Sequence, residues 1–382
     1  MTPAIPPDHA PAPPPHVVAG HILALRLFDA ADRIDLEQAA AIWQQHQAGA
    51  ARRQGLAVTP QTAMVFGEAP LHLTLPPITL DLPGGPVQAT MRARLYDFGA
   101  IALALHVPAD DLPWPGFVAR LDAVDAAAGP AGRAQPWEAA LQRLLAIIAP
   151  ALHQPAATRL QEDYLVAIVH RFDDTPDAET LLRRIDLAAL LSGERRPLSP
   201  AARTDLLRHR FSWYADDLVA LTWDRAFLYD PRGESDVTDV IEVANAQLLE
   251  MRYYDELLDA ELPRMYGHVA ETRRGMTLLR ARRYAGLARR LHTLVAEVTE
   301  LTERVDNALQ VTEDVYLARI YAAALEQFRV APVTAAVNRK LSIIRETYTA
   351  LHAEAAGART ELLEVAIVLL ILFEIVMALV GH

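Results

Sequence analysis

The chain has 382 residues, no cysteine and a formal net charge of −12. That length suffices for two or three domains with ample core. The missing cysteines exclude a disulfide framework, a thiolate nucleophile and Cys-ligated zinc, and the acidic balance argues against wholesale coating of nucleic acid, which relies on a positive surface.

Residues 1–20 hold seven prolines, no basic residue and no continuous apolar run. They read as a disordered Pro-rich extension, neither a secretory signal nor an arginine-rich transit peptide. The segment His21 to Phe28, HILALRLF, reads as a strand, followed by a helix led by Asp35 and reaching Trp43. Short strand-like runs follow at Ala63 to Phe66, Leu71 to Leu75, Ile78 to Leu82, Val87 to Tyr96 and Ala100 to Val107. Turn signals separate them: Pro76-Pro77, Gly84-Gly85 and Asp97-Phe98-Gly99. Helices are predicted over Trp114 to Ala128 and Pro136 to Ile148, with Pro150 and Pro155 marking a link. Together, residues 21–150 form an N-terminal α/β region.

Residues 151–262 form a second α/β region ending in a long helix. It opens with the strand Tyr164 to Phe172 and continues with a helix over Ala178 to Leu191. His209 to Tyr214 and Leu218 to Trp223 flank Ala215-Asp216-Asp217 like a hairpin, and Ala226 to Tyr229 prolongs its second arm. Ser235 is predicted to cap a long helix whose first turn carries Asp236 and Asp239, where acids favour the positive end of the dipole. Pro263 is expected to break or kink this helix. Asn245, between apolar neighbours, is read as a buried hydrogen-bonding residue that fixes the helix on the sheet.

Residues 263–360 read as a coiled-coil-like helical hairpin. Tyr284, Leu287, Leu291, Leu294, Val298, Leu301, Val305 and Ala308 alternate by three and four, as do Val337, Leu341, Ile344, Tyr348 and Leu351. Gln310 to Asp314 offers a polar turn between the seams. Pairing within one chain and pairing between copies both remain open. Arg282, Arg283, Arg289 and Arg290 crowd the start of these helices as a candidate anion-binding surface, although at 100° per residue such arginines spread over several faces.

From Leu362 to Val380 every residue is apolar except Glu364 and Glu374. About twenty residues rising roughly 1.5 Å each cross a hydrocarbon core of about 30 Å, so residues 361–382 are expected to form a C-terminal transmembrane anchor. Leu362, Glu364, Val368, Ile371, Glu374 and Val380 belong to the expected span. The apolar residues contribute on the order of −4 to −9 kcal/mol to insertion, which outweighs an acid at about +2.5 to +3.5. With no upstream span and Arg339, Lys340, Arg345 and Arg359 on the near side, the body is expected on the cytoplasmic face of a bacterial inner membrane.

Familiar catalytic and cofactor signatures are absent, among them GxxxxGK[ST], GxSxG, HExxH and GxGxxG, so no catalytic residue, metal or cofactor is assigned. Asp236, Asp239, Glu242 and Glu250 share a helix without a histidine at ligand spacing. His170 and His209 lie on predicted strands and read as core or edge residues.

The run from Asp216 to Asp259, the segment Val337 to Glu346, and LLEVAIVLLILFEI from Leu362 together resemble a known family. It is the domain-of-unknown-function 155 family, with its YagE-type and Required for Meiotic Nuclear Division members. Leu363-Glu364 and Glu374 fall on the two acidic points of the family's terminal span, while Val365 stands where tryptophan is usual. The resemblance implies an α/β domain, long helices and a membrane anchor, and assigns no active site. Its mitochondrial members oligomerise and support translation, which makes RNA or a ribosome-related partner an expectation.

The resulting fold expectation is α+β: an N-terminal mixed α/β body, then a long antiparallel helical hairpin and a C-terminal transmembrane helix. The functional expectation is a tail-anchored, homo-oligomeric scaffold or tether on the lipid bilayer, without catalysis. The alternative is a nucleotide- or RNA-binding module, or an enzyme, with an unrecognised site in the α/β body. A deep pocket with convergent polar groups near the Ser235 helix would favour this alternative.

Overall fold

A fourteen-residue strand, β1 (His16–Asp29), lies inside a ten-stranded sheet. The computed structural model describes residues 14–46, 51–53, 69–130, 132, 136–156, 160–194, 196–233, 236–273, 286, 289, 292–293, 295–296, 298–299 and 314–380. β1 starts five residues earlier than expected, because His16 and Val17 pair with Pro113 and Leu112. After it come β2 (Ala31–Ile34), α1 (Leu36–His46) and β3 (Ala51–Arg53). The Asp35 carboxylate accepts from the Gln38 backbone N–H at 2.9 Å, the cap that starts α1.

The next strand, β4 (Leu71–Leu82), runs straight through Pro76-Pro77, where a turn was expected. Its pairing with β5 (Gly85–Leu95) shifts register between Leu75 and Ile78, the mark of a bulge. Proline is tolerated because β3 pairs only with Leu71 to Leu73, so among the described residues no second ladder needs the missing N–H groups. Gly84 and Gly85 make the tight β4–β5 turn at φ of 102° and 119°. Then follow β6 (Ala100–Pro108), β7 (Leu112–Pro113), α2 (Trp114–Ala128), α3 (Pro136–Ile148), β8 (Leu152–Pro155) and β9 (Gln161–Phe172). The expected strand over Ala63 to Phe66 lies outside the described residues.

The helix expected over Ala178 to Leu191 is two, α4 (Ala178–Arg184) and α5 (Leu187–Ser192). Ile185 between them is extended, and Asp186 restarts the helix by accepting from the Ala189 N–H at 3.0 Å. α6 (Pro200–Leu206), unforeseen, is capped by Ser199. β10 (Arg210–Phe211) and β11 (Leu218–Leu221) make the expected hairpin. The last strand, β12 (Arg225–Tyr229), does not prolong β11. It turns back antiparallel to it and pairs parallel with β9.

The sheet order is β10-β11-β12-β9-β1-β6-β5-β4-β3, so strands of both expected α/β regions join in one sheet, with β1 between β6 and β9. On one face, Ile22, Ala24 and Phe28 of β1 pack with Trp43 of α1, Phe117 of α2 and Trp137 of α3. On the other, Leu23, Leu25 and Leu27 are equally buried. A long helix, α7 (Val237–Arg273), covers that second face with Val240, Ile241, Val243 and Ala244 fully buried. There the Tyr96 hydroxyl donates to Glu242 at 2.8 Å. The helices α8 (Val315–Gln327) and α9 (Val330–Val380) follow. Burial on both faces is why β1 is apolar along most of its length.

Two compact units divide the chain: Met1–Glu250 with Val305–Val330, and Met251–Arg304 with Ala331–His382. In the second unit α7 continues through Pro263 instead of ending there. His292 stacks on Tyr348 at 5.5 Å between ring centroids, and Arg345 reaches the Thr299 hydroxyl at 3.3 Å. Val298, Val337, Leu341 and Ile344 are buried. Segments of the two seams thus meet within one chain. Lys340 holds Asp255 at 2.6 Å and Asp259 at 2.7 Å.

The transmembrane expectation is corrected. Among the described residues no helix is long and apolar enough to cross a membrane. Side chains are described from Ile367 to Met377, a stretch of eleven residues that includes Val368, Ile371 and Glu374, all exposed. Leu362, Glu364 and Val380 belong to the backbone of α9. The tail-anchored, single-pass, inner-membrane placement falls with the span.

Asp29, at the end of β1, is buried, and its Oδ2 has no hydrogen-bond partner among the described residues. Burial, with Asp32 adding like charge, raises its pKa from 3.8 to about 7. Between these values the folded chain binds the proton that the unfolded chain has lost, so the Asp29 contribution to stability falls as pH rises from about 4 to 7. Asp29→Asn is therefore expected to stabilise the protein by up to about 4 kcal/mol at pH 8 and by almost nothing at pH 4. Urea midpoints at the two pH values measure this, and an equal effect at both would refute the assignment.

Candidate functional site

The β10–β11 turn, the segment after β12, Asp236 just before α7 and the start of α8 surround one pocket, of about 180 Å³. Local hydrogen bonds set its walls. Asp217 Oδ1 accepts from the backbone N–H groups of Trp213 at 2.8 Å and Tyr214 at 3.2 Å, which holds both aromatic residues at the rim, 57% and 50% exposed. Asp230 Oδ1 accepts from Arg232 and Gly233, both at 3.1 Å, and Gly233 takes φ of 63°, which closes the turn after β12. Asp314 caps α8 by accepting from Tyr316 at 2.7 Å and Leu317 at 3.1 Å. The cap brings Tyr316 to Trp213, ring centroids 5.8 Å apart. The Arg232 guanidinium lies 4.7 Å from the centre of the Tyr214 ring.

Asp216, Asp217, Asp230, Asp236 and Asp314 line this pocket, with Arg232 as the cation on its wall. Three of these acids, Asp217, Asp230 and Asp314, each commit an oxygen to backbone N–H groups as described. Asp236 is different. It is 7% exposed, and its Oδ2 is buried with no hydrogen-bond partner among the described residues. Burial, followed by the neighbouring Asp239, raises its pKa from 3.8 to about 7. Burial and then Asp216 push the Tyr229 phenol up to about 12. The Tyr316 phenol is raised by burial and then Asp217 and Asp230. Neutral phenols and rings beside a buried carboxyl, whose rise Arg94 only partly opposes, make an aromatic, electronegative pocket.

Beneath α7 the polar residues pair with one another. Arg94 on β5 holds Asp239 at 2.6 Å and lies 3.4 Å from Glu242, an ion pair outside hydrogen-bond alignment. Burial opposes the Arg94 charge, but Asp239 and Glu242 more than offset it. His21 lies between His106 and His170, with ring centroids 5.4 and 5.3 Å away. Burial lowers His21 to about 4 and His106 to about 3, each helped by a neighbouring imidazole, so both are neutral at pH 7. His170 meets the Asp230 carbonyl at 3.2 Å, and His209 lies 4.0 Å from Glu326. Asn245 is buried as expected, but its amide nitrogen has no partner among the described residues, so it does not fix α7 through that group.

A family model described as Uncharacterized protein MJ0711, N-terminal domain, matches residues 19–236, more than half of the chain. The chain belongs to that family. The curated Uncharacterized protein MJ0711 of Methanocaldococcus jannaschii is 25% identical over 224 residues, which cover 58% of this chain and 67% of the relative. No solved structure matches. The resemblance to the domain-of-unknown-function 155 family is thereby corrected. It leaned on acid-bearing apolar helices, whose composition recurs in unrelated chains, whereas the matched region is mainly the sheet and its helices.

The matched region contains the β-strand side of the pocket up to Asp236, and α8 adds Asp314 and Tyr316 from beyond it. Asp236 was visible in the sequence as a helix-start acid and as one of a helical group of acids without a histidine at ligand spacing. Trp213, Tyr214, Asp314 and Tyr316 were missed as site residues; two consecutive aromatics in an acidic turn were the available signal. Arg289 is exposed, while Arg282, Arg283 and Arg290 lie outside the described residues. So do Leu287, Leu291, Leu294, Leu301 and the expected cap Ser235.

Proposed function

We propose that the protein is a binding module for a small organic cation, an alkylated ammonium, held between Trp213, Tyr214 and Tyr316 with Asp236 beneath it. The supporting observation is the Asp236 carboxylate oxygen, buried at the pocket wall and unpartnered among the described residues. A buried charge that Arg94 only partly offsets is costly, and a bound cation offsets more of it. Aromatic faces add about 0.5–2 kcal/mol of cation–π attraction. Nucleotides and RNA fit poorly, since five acids against one arginine repel phosphate. The pocket lies at the start of α7, where convergent polar groups weigh toward a binding module over the expected homo-oligomeric scaffold.

Calorimetric titration of the full chain with tetramethylammonium, against sodium at equal ionic strength, tests this reading. Asp236→Asn is expected to weaken binding at least tenfold at pH 8, whereas Asp81→Asn, on an exposed position of β4, changes nothing. Because the cation favours the ionised form of a carboxyl that titrates near 7, affinity should rise from pH 6 to pH 8, with proton release on binding below pH 7. No measurable binding, or equal affinity in Asp236→Asn, refutes it.

A further inference from the structure

Arg232 stands on the wall of the acidic pocket as an exposed cation, yet its guanidinium is not tied to an acid. Asp216, Asp217, Asp230, Asp236 and Asp314 line the same pocket, and among the described residues none of them forms an ion pair with it. The guanidinium lies instead over the Tyr214 ring, 4.7 Å from its centre. Asp230, the nearest acid in sequence, spends its Oδ1 on the backbone N–H groups of Arg232 and Gly233. The side-chain donors of Arg232 are thus left open at the pocket wall.

This placement bears on what the pocket accepts. An ammonium held by Trp213, Tyr214 and Tyr316 shares the Tyr214 ring with the guanidinium, and like charges so close repel. A carboxylate on the same ligand reverses the sign, because the guanidinium fork donates two parallel N–H bonds to it. Elsewhere in the pocket the five acids repel an anion, so the charge pattern orients both ends of such a ligand. The two anchors are also close together. Arg232 sits on Tyr214 itself, and the Trp213 and Tyr316 rings are 5.8 Å apart, which leaves room for only a short link between the ligand's charges.

We infer, building on the cation site proposed above, that the ligand is a betaine: a trimethylammonium group joined by one or two carbons to a carboxylate. The ammonium lies among Trp213, Tyr214 and Tyr316, and the carboxylate accepts from the Arg232 guanidinium. A phosphate in place of the carboxylate carries more negative charge, and the surrounding acids oppose it more strongly.

The test is calorimetric titration of the full chain with glycine betaine, choline, phosphocholine and tetramethylammonium at pH 8 and one ionic strength. Choline keeps the trimethylammonium group but ends in a hydroxyl. Glycine betaine is expected to bind at least tenfold more tightly than choline, and phosphocholine more weakly than glycine betaine. Arg232→Met should split the two ligands, weakening glycine betaine at least tenfold while choline tightens because a repelling charge is gone. Arg232→Lys, which keeps the charge without the planar fork, should retain part of the preference for glycine betaine. Equal affinity of glycine betaine and choline, an equal loss of both in Arg232→Met, or tighter binding of phosphocholine than of glycine betaine overturns the inference. If tetramethylammonium and choline bind while glycine betaine gains nothing over them, the cation site stands and the carboxylate anchor alone fails. If none of the four binds, the cation site itself fails, and the betaine with it.

Discussion

Gly99→Ala is expected to be the most damaging conservative change in the sheet, costing on the order of 3–6 kcal/mol. Gly99 closes the turn between β5 and β6 at φ of 103°, a region that L side chains rarely adopt. An added Cβ would stand 1.6 Å from the Ala31 carbonyl oxygen and 2.7 Å from its carbon. Both are backbone atoms, so no side-chain rotation relieves the overlap. The turn must open, and with it go the Ala30 N–H bond to the Gly99 carbonyl at 3.2 Å and the Gly99 N–H bond to Tyr96 at 3.1 Å. Strained backbone costs about 1–3 kcal/mol and forced overpacking a similar amount. Gly84→Ala provides the comparison. Its φ of 102° is nearly the same, but nothing lies within 4 Å of the added Cβ. Only the backbone strain of about 1–2 kcal/mol should remain there. Urea unfolding of the two variants measures the difference, and equal losses would show that the Ala31 contact is not the cause.

Arg94→Met should cost about 3–5 kcal/mol, because it strips the cation from two acids on α7, of which Glu242 is buried and Asp239 half-buried. Asp239 loses its 2.6 Å partner, and among the described residues Glu242 keeps the 2.8 Å bond from the Tyr96 hydroxyl. Glu242 already titrates above its usual value because of burial, with Arg94 acting against that rise. Without the arginine its pKa climbs further, so the folded variant holds protons that the unfolded chain has released. By linkage the loss is therefore largest at high pH and shrinks as pH falls toward the carboxyl range of the unfolded chain. Adding Glu242→Gln to Arg94→Met should recover part of the stability at pH 8 by removing one of the uncompensated charges. A single variant with a pH-independent loss, or no recovery in the double variant, would show that packing and not charge dominates.

Much of the local structure was legible in contiguous residues. The helices Trp114–Ala128 and Pro136–Ile148 have the limits that their apolar spacing and flanking prolines predict. Asp35, Gly84-Gly85 and Asp97-Phe98-Gly99 act as the cap and turns their chemistry indicates. Each of these signals is satisfied within a few residues, by one hydrogen bond or one allowed region of φ.

The sites were not legible in that way. Asp236 and Tyr316 line one pocket although 80 positions separate them, and Trp43 and Pro77 line another pocket although 34 positions separate them. Parallel pairing of β12 with β9, and the joining of β1 to β9, depend on which apolar faces fit across the sheet. The tail shows the converse error, since composition alone proposed a membrane span that no described helix supports. Capping, turn chemistry and helix periodicity are short-range and therefore written in the chain itself. Strand order, burial of an unpaired carboxylate and the opening of a cavity are set by contacts between distant segments, and only the folded arrangement decides them.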